Sequence, residues 1–332
     1  MSKVTAGMTS RQGASGAPGR ETGLTLIEML VTMVIGAFLM IGVISIFAQS
    51  RTTFRTNDAV ERMQEAVRFA LNTMQPDIRL AGNWGLHSDP TFVTAPNGAT
   101  ATCEDGTDVT NWALDPQLGV EASNGVNTLP CPVFANAFQP GSDVLVVRHA
   151  SGQPQAAANT VIQLQSNRMG STVFDTGAVP FACPAATPAC TFDWQTQAYY
   201  VSSQSSLGPN VPSLRRQVLV PGGVLQDQEL IPGVEDFQVL LGLDADGDDD
   251  VERFVHANDG ALAILDPANP AFVDGAQIVA VRLWLMFRAE HPEQGFVDGN
   301  VYNYADMANV TPNDNFRRVL VNRTVLLRNA RG

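Results

Sequence analysis

The sequence predicts an α+β fold: a long N-terminal helix, apolar throughout its first half and amphipathic in its second, packed on an antiparallel β-sheet with β-rich insertions. Three observations lead there. Over residues 24–48 the only ionisable side chain is Glu28. Met63, Val67, Ala70, Met74 and Ile78 then recur at spacings of three and four, which places them on one face of a helix. Beyond residue 140, runs rich in Val, Leu and aromatic residues alternate with Pro, Gly and Asn, the punctuation of strands and turns.

Taken in order, residues 24–48 at 1.5 Å per residue make a helix of about 37 Å, long enough to cross a bilayer. A carboxylate inside such a run costs roughly 2.5–3.5 kcal/mol at the bilayer centre and less near its end, so Glu28 needs a partner. Arg62, Glu65, Arg68 and Asn72 fall on the other side of the second half. One helix is therefore expected from about residue 24 to 80, with Gly36 and Gly42 as weak points, Pro76 distorting the last turns and Gly82 ending it. Residues 83–140 read as loop, marked by Asp89-Pro90, Asn97-Gly98 and Asp115-Pro116. Strands are expected at 143–149, 160–165, 198–202, 214–220, 237–243, 278–287 and 316–327. Arg282, Arg288, Arg323 and Arg328 interrupt the last two at positions suited to a solvated face, which argues against a second membrane span. The acid pair Glu235-Asp236 reads as a strand edge, and Trp84, Trp112, Trp194 and Trp284 as core or loop anchors.

A Gly/Ser/Thr-rich leader carrying Lys3, Arg11 and Arg20 against Glu21 precedes the apolar run, and Gly23 stands immediately before Leu24. In a secretory signal the cleavage site follows the apolar region; cutting after Gly23 would instead leave the helix on the mature chain. The segment Gly23-Leu24-Thr25-Leu26-Ile27-Glu28 resembles the type IV pilin family. In that family a prepilin peptidase cuts after such a Gly, the new terminal amine is methylated, and the fifth mature residue is Glu, here Glu28. The family's usual first mature residue is Phe, where this chain has Leu24. The resemblance implies that Leu24 and Glu28 form the assembly contact, the amine of one subunit lying near the carboxylate of a neighbour. It also implies a leader at 1–23, a transmembrane helix at 24–48, its amphipathic continuation at 49–82 and a β-rich head at 83–332. Before assembly the chain would cross the inner membrane once, N-terminus cytoplasmic and head periplasmic; afterwards it would lie at the pilus tip or cell surface.

The blocks Val234-Glu235-Asp236-Phe237-Gln238-Val239-Leu240, Leu243-Asp244-Ala245-Asp246-Gly247-Asp248, Val279-Ala280-Val281-Arg282-Leu283 and Thr324-Val325-Leu326-Leu327-Arg328-Asn329 resemble the PilW family of minor pilins. That resemblance implies a low-abundance subunit that helps initiate the pilus at or near its tip, with other minor pilins, the major pilin and a tip adhesin as partners. Two further readings stand beside it: a minor pseudopilin of a type II secretion system, and a tip-exposed adhesion module that binds through residues 83–140.

Composition narrows the function classes. Removing Lys3, Arg11, Arg20 and Glu21 with the leader leaves 17 basic and 32 acidic residues, a net charge of -15. Such a surface repels phosphate backbones, so no nucleic-acid partner is expected. Cys103, Cys131, Cys183 and Cys190 all lie beyond the span, an even number that suits two disulfides in an oxidising compartment. Cys183 with Cys190 would close a short Pro-containing loop and Cys103 with Cys131 a longer one, although spacing alone does not fix the pairing. The alternative, metal ligation, lacks a C-x-x-C spacing or a nearby His.

Asp244, Asp246, Asp248 and Asp250 alternate around Gly247, a concentration of carboxylates that Ca²⁺ would neutralise, with Glu252 as a further donor. The pattern is not an EF-hand, because Gly falls at the fourth place and Val255 stands where the bidentate Glu is required. The alternative is a solvated hairpin turn. His87, His149, His256 and His291 are dispersed, and no H-E-x-x-H, G-x-S-x-G or phosphate-cradling loop is present, so no enzyme activity is expected.

Overall fold

The structure, a computed structural model, describes residues 23–328 apart from 95, 97, 168, 182–189 and the side chain of Thr52. Residues 1–22 of the expected leader and Cys183 lie outside the described residues. The chain divides into two compact units, residues 1–55 and 56–332. Helix α1, Leu26–Leu80, contributes to both. It passes through Pro76 without ending. It stops where Gly82 adopts φ +72°, a conformation that costs glycine nothing. There Asn83 N–H donates to Leu80 O at 2.9 Å and Gly82 N–H to Arg148 O at 3.0 Å, so the turn is tied to the sheet. Gly119 crosses it so closely that a Cβ there would sit 2.7 Å from the Gly82 backbone.

In chain order the strands are β1 Val93–Thr94, β2 Thr102–Cys103, β3 Val120–Ser123, β4 Val144–Ala150, β5 Asn159–Asn167, β6 Gly170–Thr176, β7 Thr191–Ser202, β8 Ser213–Val220, β9 Val224–Pro232, β10 Val234–Asp244, β11 Arg253–Val255, β12 Gln277–Arg288, β13 Tyr302–Tyr304, β14 Met307–Val310 and β15 Arg318–Leu326. A nine-stranded sheet runs β1-β6-β5-β7-β8-β9-β2, with β4 pairing both β7 and β3. A four-stranded sheet runs β11-β10-β12-β15, and β13 with β14 forms a separate hairpin. Pairing is antiparallel except for the two-residue contacts of β1 with β6 and of β2 with β9. Each expected strand has a counterpart. The strands not foreseen include β6 and β9, whose polar sequences GSTVFDT and VLQDQELIP hide them. In the stretch read as loop, short helical turns form at Pro90–Phe92, Thr110–Ala113 and Phe134–Asn136.

The amphipathic face of α1 holds both sheets together. Met63, Ala70, Met74 and Ile78 are buried in one apolar cluster with Leu145 and Val147 of β4, Tyr199 and Val201 of β7, Phe237, Val239 and Leu241 of β10, and Val281, Leu283 and Leu285 of β12. Its helical period is what places one residue per turn over the strands. A second cluster explains how residues 83–114 stay ordered with little regular structure. Trp84 and Trp194 stack at 4.8 Å, and Ala99, Ala101, Cys103, Ala113 and Leu114 pack around them. The buried Arg148 guanidinium donates to Trp112 O, Leu118 O and Glu121 Oε2 at 2.8, 2.9 and 2.8 Å, which fastens residues 112–121 to β4.

Cys103 and Cys131 are joined by a disulfide with Cα atoms 5.4 Å apart. Cys190 is also a half-cystine. Because the Cys103–Cys131 bond crosses 28 positions of chain with few ladder hydrogen bonds, replacing both cysteines with serine should destabilise the head by about 2–4 kcal/mol. Chemical denaturation of the two proteins compares them directly, and a loss below about 1 kcal/mol would mean that the second cluster holds this segment unaided.

A polar seam joins the sheets where β4 begins beside β10. Asp143 N–H donates to Phe237 O at 2.8 Å, and its carboxylate accepts from Val239 N–H at 2.7 Å and Gly125 N–H at 2.8 Å. Alongside, Ser142 Oγ and Tyr304 OH donate to Asp236 at 2.5 and 2.7 Å, while Gln238 donates to Gly141 O at 2.7 Å. Asp236 is therefore a buried junction rather than the strand edge that sequence suggested. Burial pushes the Asp143 carboxyl up to about 7 against its two N–H donors, with Asp306 and Asp236 adding to the rise. A group raised above its unfolded value holds an extra proton in the folded state. Its contribution is fully present below about pH 4 and is lost as pH rises through about 7. Thermal unfolding should accordingly show Tm falling between about pH 5 and pH 8, with that part of the slope absent from Asp143→Asn.

Candidate functional site

The described part of the first unit, residues 23–55, is helix from Leu26 onward with a capped start. Thr25 N–H and Oγ1 both donate to Glu28 Oε2, at 3.2 and 3.0 Å, and Glu28 N–H donates to Thr25 Oγ1 at 3.3 Å. This reciprocal Thr-x-x-Glu arrangement is a capping box, which satisfies donors left open by the first turn and favours a negative charge at the positive end of the helix. Thr32 Oγ1 donates to Glu28 O at 2.9 Å on the next turn.

Among the described residues no basic side chain pairs with Glu28, and the apolar residues around it are exposed: Leu24 at 71%, Leu26 at 83% and Ile27 at 73%. The helix is long and apolar enough in this part to cross a membrane, and none of its most apolar window is buried. A soluble chain does not leave a surface of this kind bare. Chemically, the site offers one carboxylate in an apolar setting, held at the first helical turn and open to a cation supplied from elsewhere.

The acidic turn lies in the second unit, between β10 and β11. Asp244, Asp246, Asp248 and Glu252 bring one carboxylate oxygen each to within 4.8 Å of one another. Asp250 is not in this group; its N–H instead donates to Asp248 Oδ1 at 3.0 Å. Glu252 takes its place because its carboxylate accepts from Ala245 N–H at 2.7 Å across the turn. These are hard oxygen donors suited to Ca²⁺. Asp244 is buried, yet its oxygens already accept from the N–H groups of Asp246, Gly247 and Asp249 at 3.2, 2.6 and 2.9 Å. Burial alone would raise its carboxyl, but the N–H donors of Gly247 and Asp249, Gln277 and the Asp246 N–H hold it below the usual range. The other three acids are exposed to water.

One ionic group escaped sequence reasoning. Arg318, its side chain 2% exposed, meets Glu235 at 2.6 Å, Asp298 at 3.3 Å and Asp314 at 2.7 Å. Arg288, expected on a solvated face, lies over the Phe316 ring at 4.3 Å with its side chain only 16% exposed. The partners are up to 83 positions apart in the chain, and no local pattern announces them.

Two family models match the chain, the prokaryotic N-terminal methylation motif over residues 19–44 and type IV pilus-assembly protein W over residues 198–329. The first contains Gly23, Leu24 and Glu28; the second contains β8 to β12, the acidic turn and β15. No curated protein matches. Among solved structures the chain is similar to the type IV-like pilin TTHA1219 from Thermus thermophilus, at 12% identity and a TM-score of 0.36, over 81% of this chain and 97% of that one. The chain thus carries a prepilin N-terminal methylation motif at the head of its apolar helix and, over residues 198–329 of its β-rich part, a segment similar to the type IV pilus-assembly protein W family.

Proposed function

We propose that prepilin peptidase cuts this chain between Gly23 and Leu24, that Leu24 is then methylated, and that the mature subunit helps initiate pilus assembly at or near the tip. The observation that carries the reading is the lone Glu28, fifth after the cut, fixed at the first turn of an exposed apolar helix with no cation of its own among the described residues. An amine created by cleavage on a neighbouring subunit supplies that cation. In an apolar bundle, the attraction of such a pair is worth several kcal/mol at intermediate dielectric.

In this reading the helix anchors the precursor in the inner membrane with its N-terminus cytoplasmic and its head periplasmic, and the head meets other minor pilins, the major pilin and a tip adhesin. The family matched over residues 198–329 is described as a pilus-assembly protein, which supports a structural role. A clean deletion tests the function. Loss of surface pili and of twitching supports it. Normal piliation with lost adhesion would replace it with the adhesion-module reading, and blocked exoprotein secretion with twitching intact would replace it with the pseudopilin reading.

A further inference from the structure

Sheet edges in this head are unequal. The nine-stranded sheet ends in β1 and β2, each two residues long, and on a branch in β3, four residues long; β9, which β2 covers only at Val224 and Leu225, carries a bulge and ends in Pro232; the four-stranded sheet ends on one side in β11, three residues long. Its other edge, β15, is nine residues long, without proline and without a bulge in its pairing to β12. Short strands, bulges and prolines are the usual protection of an edge against another chain, and β15 lacks all three.

Its outward groups follow from the register. Leu327 N–H donates to Val279 O and Ala289 N–H to Arg317 O, so the odd-numbered residues of β15 face β12. Leu320, Asn322, Thr324 and Leu326 therefore turn their N–H and C=O outward, where they meet no hydrogen-bond partner among the described residues. The next outward residue, Arg328, donates to Arg79 O at 2.9 Å, so the end of α1 closes this edge. The open stretch is basic in an acidic protein. Arg323 is exposed and unpaired among the described residues, and Leu326, three positions on and on the opposite face of the strand, is 53% exposed.

We propose that β15 is a docking edge for an extended strand of another polypeptide, in which apolar residues lie along Leu320 and Leu326 and a carboxylate lies opposite Arg323. Main-chain hydrogen bonds to the outward groups provide the attachment, and the cross-strand charge pair sets the register. The inference is independent of the pilin assignment.

The test is photocrosslinking in the native host, with p-benzoylphenylalanine replacing Asn322 in the full chain and the joined peptide identified by mass spectrometry. The expected adduct is an acidic, extended segment of a different protein. It should disappear in Thr324→Pro, which blocks an outward N–H while sparing the β12 ladder. It should also be strongly reduced in Arg323→Glu, an exposed change that leaves folding untouched. Absence of a protein adduct, an adduct to a second copy of this chain, or an adduct insensitive to Arg323→Glu would each overturn the proposal.

Discussion

Replacing Glu28 with alanine is expected to leave leader removal and methylation intact while abolishing incorporation of the subunit into pili. Taking one member from a desolvated charge pair costs about 3–5 kcal/mol, because the other charge is left buried without compensation. At 1.4 kcal/mol per factor of ten, that is a loss of roughly two to four orders of magnitude in incorporation. The alanine change also removes the cap that Glu28 forms with Thr25, worth about 1 kcal/mol of helix stability. Glu28→Gln separates the two effects, since its carbonyl still accepts from Thr25 while the charge is gone. If charge pairing drives assembly, Gln fails as Ala does; if only the cap matters, Gln assembles normally. Quantifying the subunit in sheared pili against the membrane fraction distinguishes them.

Arg318→Ala should be the most damaging single change in the head. The guanidinium reaches Glu235 through Nε and Nη2, Asp314 through both terminal nitrogens and Asp298 through Nη1. The Asp298 side chain is fully buried, so removing Arg318 takes away its cation and leaves the carboxylate only the neutral donors Asn300 and Tyr302. The expected loss is about 3–5 kcal/mol, or a fall in Tm of roughly 6–20 °C for a domain of this size. Arg318→Lys should restore only part of it, because an ammonium cannot reproduce the forked contacts. A loss under about 1 kcal/mol for the alanine variant would show that the cluster does not hold the 290–316 insertion to β10 and β15.

What sequence made legible was what local pattern controls. The spacing of Met63, Val67, Ala70, Met74 and Ile78 identified the buried face of α1, and Val/Leu-rich runs located β4, β10, β12 and β15. β9 was hidden because its exposed and half-buried positions carry Gln, Asp and Glu, two of which pair with Arg215 from the neighbouring strand. Residues 83–114 looked like loop because tertiary contacts, a disulfide and the Trp84–Trp194 stack organise them in place of a periodic pattern. The N-terminal site was readable for the opposite reason: Gly23, Leu24 and Glu28 fall within one turn and a half of chain. In the acidic turn, the bond from Ala245 to Glu252 draws in Glu252 and leaves Asp250 aside, an outcome that alternating aspartates do not specify. The Arg318 and Asp143 networks depend on partners brought together by the sheets, beyond the reach of any local reading.

The most direct measurement is the mass of the N-terminal peptide of the protein recovered from membranes and pili. Lys3, the only lysine, lies in the leader, so after cleavage the terminal amine at Leu24 is the single amine left to carry the methyl group. The account predicts a peptide that begins at Leu24, bears one N-methyl group and lacks residues 1–23. A chain that retains its leader in assembled pili would contradict it.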